Sequence, residues 1–235
     1  MNVQEVLSEL ESLGTERTKK RYLSEGAREP VFGAATGAMK PMSKIIKKDQ
    51  ALAEELYATG NYDAMYLAGV IADPDAMTEE DFERWIDAAY FYMISDFIVA
   101  VTLAETKFAQ AVADKWIDSE DELRRSAGWS CYCWLLGSRK DDEFDAEKLE
   151  RLLNRVERTI HQAPERAVYS MANFVYTTAV SYTPLHHRAL ETADKIDSVE
   201  VGGPGGKRKG IQTSANIRKA AEKNRLGFKR KYVRC

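Results

Sequence analysis

Apolar residues recur along this chain at the three-and-four spacing of a helix and almost never alternate before residue 197, which settles most of what it can fold into. Val3, Val6, Leu7 and Leu10 fall on one face, as do Leu52, Leu56 and Tyr57. The pattern resumes through Val99, Val101, Leu103 and Phe108, then from Trp129 to Leu136 and from Leu149 to Ile160. Short breakers interrupt it at Gly14, Gly60-Asn61, Asp73-Pro74-Asp75, Gly137-Ser138, Pro164 and Pro184. Asp75 or Thr78, followed by Glu79, Glu80 and Asp81, marks a helix start, because acids in a first turn suit the helix dipole. Helices of about 10–18 residues joined by short loops predict stacked helical hairpins. Pairs recurring roughly every 35–45 residues match the period of helical solenoids, and a plain helical bundle fits the same periodicity.

One segment departs from the helical rule. Val199-Glu200-Val201 alternates ahead of five residues of glycine and proline, and a polar–apolar run from Lys207 to Thr213 follows. A β-hairpin with a flexible tip accounts for these residues, and so does a Gly-rich linker. Ser214 is placed to cap a last helix, Ala215 to Asn224, before the tail GFKRKYVRC. The expected organisation is a helical part, residues 1–197, and a basic part, residues 198–235, packed on the same domain.

Charge divides along the same line. From Lys195 onward there are twelve basic residues against three acidic ones, a net +9 within a chain of net −3, so residues 1–194 carry −12. An acidic body with a basic end suggests a polyanion partner, and a solvated tail is the plain alternative. No stretch approaches the roughly 20 uncharged apolar residues of a membrane span, and the opening MNVQEVLSELESL interrupts each apolar pair with charge. A soluble, cytoplasmic protein is expected. Cys131 and Cys133 are expected as thiols in or beside a helical core, since nothing supplies a second pair of zinc ligands. His186-His187 lacks acidic or Cys neighbours at ligand spacing, and no phosphate-binding Gly-Lys-Ser/Thr loop is present, so no metal or cofactor is expected.

Three stretches carry a family likeness. They are residues 32–74, a glycine-containing entry, a basic helix, a Leu-Ala-rich helix and an Ala-Leu-Ala helix ending before Asp-Pro; residues 92–129; and the basic ending VEV…FKRKYVRC. Together they resemble the bacterial DNA alkylation repair family of HEAT-like repeats, which includes the AlkD-type glycosylases. The resemblance implies an all-α fold, a right-handed HEAT/ARM-like α-α superhelix of stacked antiparallel helix pairs, here with a small C-terminal β-hairpin. It implies a monomer that meets duplex, damaged or branched DNA at the nucleoid. In the glycosylase branch a Trp lies four residues before an Asp, an Arg lies on the next helical unit, and a second Trp lies further on. Here the Asp matches Asp96 and the Arg matches Arg125, while Tyr92 and Phe174 stand at the two Trp positions.

Carried over in this way, Asp96 is the candidate catalytic carboxylate, and Tyr92, Arg125 and Phe174 are candidate DNA contacts. An alkylated purine is already a good leaving group, so a carboxylate beside the sugar can stabilise an oxocarbenium-like state and position water. Aromatic faces attract the cationic nucleoside by about 0.5–2 kcal/mol each, Trp most strongly. Arg125 would hold a phosphate. Asp96 with Ser95 would equally serve as a helix cap. Lys40, Lys44 and Lys47, with Lys48, form a stripe suited to tracking phosphates, with Met39, Met42, Ile45 and Ile46 as its buried side. Lys207, Arg208 and Lys209 at the hairpin and Lys229, Arg230 and Lys231 in the tail complete the expected DNA contacts. Three functions compete: binding damaged, bent or branched DNA with or without catalysis; a glycosylase releasing 3-methyladenine or 7-methylguanine; and a HEAT-repeat protein-interaction scaffold.

Overall fold

The computed structural model describes residues 1–202 and 208–234, so the expectation placed on Lys207 lies outside the described residues. The described residues divide into two compact units, residues 1–108 with Arg234, and a second from 109 to 233. The second unit holds residues 198–202 and 208–233 together with 109–197.

The first unit contains α1 (Val3–Ser12), α2 (Glu16–Ser24), α3 (Lys40–Ile46), α4 (Gln50–Ala58), α5 (Tyr62–Ile71) and α6 (Glu79–Ala88). Then α7 (Tyr92–Ile94) and α8 (Ala100–Leu103) flank a π-helical turn, Ser95–Val99. Side chains begin most of these helices: Asn2, Thr15, Asp49, Asn61 and Thr78 each accept a first-turn N–H, and Thr78 with Asp81 forms a reciprocal capping box. Of the two starts read from the sequence, Thr78 is the cap. The faces expected to be apolar are the core, with Val6, Leu10, Leu52, Leu56 and Tyr57 all buried. Tyr57 stacks on Trp85 at 4.1 Å and donates its hydroxyl to the Trp85 carbonyl at 2.6 Å.

One buried carboxylate organises the loop before α3. Asp63, 0% exposed, accepts the N–H groups of Phe32 at 2.6 Å, Gly33 at 3.1 Å and Ala34 at 2.8 Å. Burial raises its pKa above the ordinary value, and the three amides pull against that rise without cancelling it. Gly33 holds φ 83°, and a Cβ there would lie 2.5 Å from the Lys19 nitrogen, so the cradle requires glycine. Arg234 packs in this unit as well. It pairs with Glu105 at 2.6 and 3.0 Å and donates to the carbonyls of Gly69 at 2.6 Å and Ala72 at 3.1 Å, which close the end of α5.

The second unit contains α9 (Ala109–Trp116), α10 (Glu122–Leu136), α11 (Ala146–Thr159), α12 (Glu165–Ser181) and α13 (His186–Ile196). After these come β1 (Ser198–Gly202), β2 (Arg208–Gln212) and α14 (Thr213–Glu222). Helix α10 packs against α9 and α12, and its approach to α9 is close enough that a Cβ on Gly128 would meet the Ile117 nitrogen at 2.8 Å. Cys131 and Cys133 are buried in α10, as the apolar run around them implied. Strands β1 and β2 form the antiparallel hairpin, Val199 opposite Ile211 and Val201 opposite Lys209, with Val199 and Val201 buried. Helix α14 begins at Thr213, straight out of β2, so Ser214 lies inside the first turn and is not the cap; Gln212 precedes the helix without a side-chain cap.

Candidate functional site

The sequence-selected residues separate once their surroundings are known. Asp96 is 1% exposed and sits in the π turn, where Ser95 Oγ donates to its Oδ1 at 2.9 Å. Neither residue starts a helix as an N-cap, because the helical path runs continuously through Ile94, Ser95 and Asp96. A π turn holds one residue more than an α turn, and such turns recur at functional sites. Tyr92 is half-buried, edge-on to Phe91 and Phe97. The same unit carries the α3 lysines. Lys40, Lys44 and Lys47 are exposed with no ion pair among the described residues, whereas Lys48 pairs with Asp73 at 2.8 Å. Met39 and Met42 are buried as expected, but Ile45 is 73% exposed and Ile46 half-buried, so the buried side of α3 is narrower than the expected stripe.

In the second unit Phe174 is 0% exposed, wedged between Trp129 at 5.1 Å and Tyr132 at 5.9 Å. It is a core ring at the position where the resemblance implies a DNA contact. Arg125 is half-buried in the first turn of α10, and its Nε donates to the Ser119 carbonyl at 2.6 Å, tying down the loop before that helix.

The basic C-terminal segment is sorted by its ion pairs. Lys195 pairs with Glu157 at 3.2 Å, Arg208 with Glu200 at 3.1 Å, and Arg218 with Asp194 at 2.7 Å. Lys229 pairs with Asp141 at 2.8 Å and donates to the Leu136 carbonyl at 2.8 Å. The Arg230 guanidinium lies 4.6 Å over the Trp134 ring, while its N–H donates to the Gly137 carbonyl at 2.7 Å. Lys229 and Arg230, expected to meet DNA, therefore finish the C-terminus of α10, where cations are favoured. Lys231 is exposed beside the Tyr232 ring.

Four other cations of this segment gather in one place. A groove of about 380 Å³ opens between α12, β2 and α14. From α12 it receives Tyr169, Ala172, Asn173 and Tyr176, spaced as one helical face. From α14 it receives Thr213, Asn216, Lys219, Ala220 and Lys223, again one face, and Arg225 follows. Lys209, Gly210 and Ile211 of β2 form the third wall. Lys209, Lys219, Lys223 and Arg225 are exposed and have no carboxylate partner among the described residues. Like charges lining a concave surface focus field and attract anions. Of these four, only Lys209 was singled out in the sequence. Lys219, Lys223, Arg225, Tyr169 and Tyr176 were missed, although the Tyr169, Asn173, Tyr176 spacing on an otherwise apolar helix was the available signal.

Among the described residues no cluster of His, Cys, Asp or Glu is arranged to hold a metal ion, and no helix is long and apolar enough to cross a membrane.

A family model described as DNA alkylation repair enzyme matches residues 3–223. The chain belongs to the DNA alkylation repair family. Two relatives in that size range are the uncharacterized proteins Lin0241 of Listeria innocua and Lmo0209 of Listeria monocytogenes. They are 29% and 27% identical over 200 and 199 residues, 83% of this chain and 86% of each relative. A solved structure matches over 100% of both chains with 61% identity and a TM-score of 0.96. It is described as "a new family of proteins related to the HEAT-like repeat DNA glycosylases with affinity for branched DNA structures". The helical hairpins of this DNA alkylation repair family member are thus a HEAT-like repeat fold, with the expected C-terminal hairpin.

Proposed function

We propose that this member of the DNA alkylation repair family binds branched or distorted DNA, gripping phosphates with the basic face around β2 and α14. The observation that carries the reading is the sorting of charge: once the ion pairs are made, Lys209, Lys219, Lys223 and Arg225 are left together on one groove. Phosphate contacts from such residues supply most of the affinity of DNA-binding proteins and make it fall steeply with salt. The full-length likeness to a structure whose group has affinity for branched DNA supports branched DNA as the form preferred. Exposed Lys40, Lys44, Lys47 and Lys231 are further phosphate contacts in this reading. Base release is not part of it, because tyrosine and phenylalanine stand at the two tryptophan positions of the glycosylase branch and Phe174 is packed against Trp129 and Tyr132. The protein acts as a monomer on DNA at the nucleoid, without metal or cofactor.

The test is binding to a four-way junction and to duplex of equal length across 50–200 mM salt. The reading expects tighter junction binding and a linear fall of log K with log salt. Equal affinity for the two forms, or none for either, would overturn it.

A further inference from the structure

We propose that the groove between α12, β2 and α14 seats one unpaired nucleotide of single-stranded DNA, its phosphate at the start of α14 and its base toward the α12 tyrosines. The inference rests on the DNA-binding reading and adds to it a preference for an unpaired strand. Four observations carry it.

The first is depth. A paired duplex offers its phosphates on the outside of a thick cylinder, so it could touch only the lysines at the rim. The groove, about 380 Å³, is of the size that holds a small ligand such as a single nucleotide, which a base swung out of the stack can offer.

The second is chemistry on the α12 wall. Tyr169 is 37% exposed, one face of its ring covered by the Arg166 guanidinium at 4.2 Å. That contact steadies a ring that lines the groove. Tyr176 lies two turns along the same face, and Asn173 between them offers both a donor and an acceptor. Aromatic rings beside a basic track are the arrangement by which proteins hold single strands, since every base has a face to stack while only unpaired bases expose it.

The third is an unsatisfied hydroxyl. Thr213, 1% exposed, lines the groove, and its Oγ1 has no hydrogen-bond partner among the described residues. A buried hydroxyl without a partner is costly, and it demands an explanation. A phosphate oxygen would accept its proton.

The fourth is the helix it begins. Helix α14 has ten residues, and its first turn receives no side-chain cap, so its N–H groups and the positive end of its dipole also face an incoming anion. Lys219 and Lys223 stand further along the same face.

The experiment compares fluorescence anisotropy on three probes: a fully paired four-way junction, the same junction with a single-stranded thymidine flap, and the free thymidine oligonucleotide. The wild-type chain is expected to bind the flapped junction about tenfold more tightly than the paired one, within the range that base stacking supplies. Tyr169→Ala and Thr213→Val should each remove that difference and leave the paired junction bound as before. Thr213→Val keeps shape and deletes only the unpartnered hydroxyl, so its melting temperature should equal or exceed that of the parent, which separates lost binding from lost folding. Equal binding of flapped and paired junctions by the wild type would overturn the nucleotide seat while leaving branched-DNA binding standing. Loss of binding to every probe would overturn both. Competition by thymidine monophosphate as effective as by the oligonucleotide would overturn the strand preference and make the groove a mononucleotide site.

Discussion

Asp96 and Phe174 are buried, whereas α14 and β2 turn a row of cations to open solvent. The resemblance suggests function at the first pair, and the ion-pair pattern is the reason the proposed DNA contact lies at the second. In the enclosed positions the aromatic and acidic residues are satisfied by the protein itself: Ser95 serves Asp96, and Trp129 and Tyr132 surround Phe174. At the groove the protein leaves charges, an amide-rich helix start and a hydroxyl without internal partners. Matching residue types to a family motif locates the fold. Asking which groups remain unsatisfied is what nominates the groove as the proposed contact surface.

The contrast can be broken by substitution, and the largest effect expected is on stability. Phe174→Ala should cost about 3–5 kcal/mol, as for a large aromatic removed from a packed core, while Tyr169→Ala on the same helix should stay within about 0.5 kcal/mol. Urea denaturation of both reads the difference, and similar losses would mean the two rings do not differ as described. Next in size, Lys219→Glu with Lys223→Glu should lower junction affinity on the order of 100-fold and make the salt slope shallower by about 2. Asp96→Asn should leave that affinity unchanged; a matching loss there would return the contact to the π turn.

A smaller effect is expected from pH. Desolvation pushes the Glu157 carboxyl up, but hydrogen bonds from Arg188, Thr192 and Lys195 outweigh it and hold the group below its ordinary 4.5. A carboxyl depressed on folding stabilises the fold above its unfolded value, and that contribution disappears as pH falls through the folded one. Melting temperature should therefore drop on acidification below about 4.5, and Glu157→Gln should flatten the limb. A parallel limb in the variant would remove Glu157 as its source. The smallest effect belongs to α3: Ile45→Ser should change stability by less than about 0.5 kcal/mol, since the side chain is already 73% exposed. A larger loss would restore Ile45 to the buried stripe.

Much of the fold was legible because periodicity, breakers and caps are local signals. The helical core faces, the Thr78 start, the thiols of α10 and the hairpin around the glycines were all readable in neighbouring residues. The groove was not, because it joins α12 to α14 across some forty residues, and no local pattern states that pairing. The slip at Phe174 is a matter of helical angle. Two residues on, Tyr176 is rotated by roughly 200°, so the ring beside the expected position faces the groove while the expected one faces the core. The π turn was equally hidden, since one added residue leaves composition and spacing almost unaltered.

The pinned tail has a consequence for proteolysis. A run of lysines and arginines at the end of a chain invites cleavage by trypsin, which must draw several extended residues into its cleft. Here Gly227 donates to the Val180 carbonyl, Arg230 to that of Gly137, and Lys229 to that of Leu136. A protease reaching for the bond after Lys229 or Arg230 must first pull these contacts apart, so cutting there reports local opening. The most basic stretch of the molecule is thereby among its more guarded ones, and its resistance is a clock for how often the end of α10 comes undone.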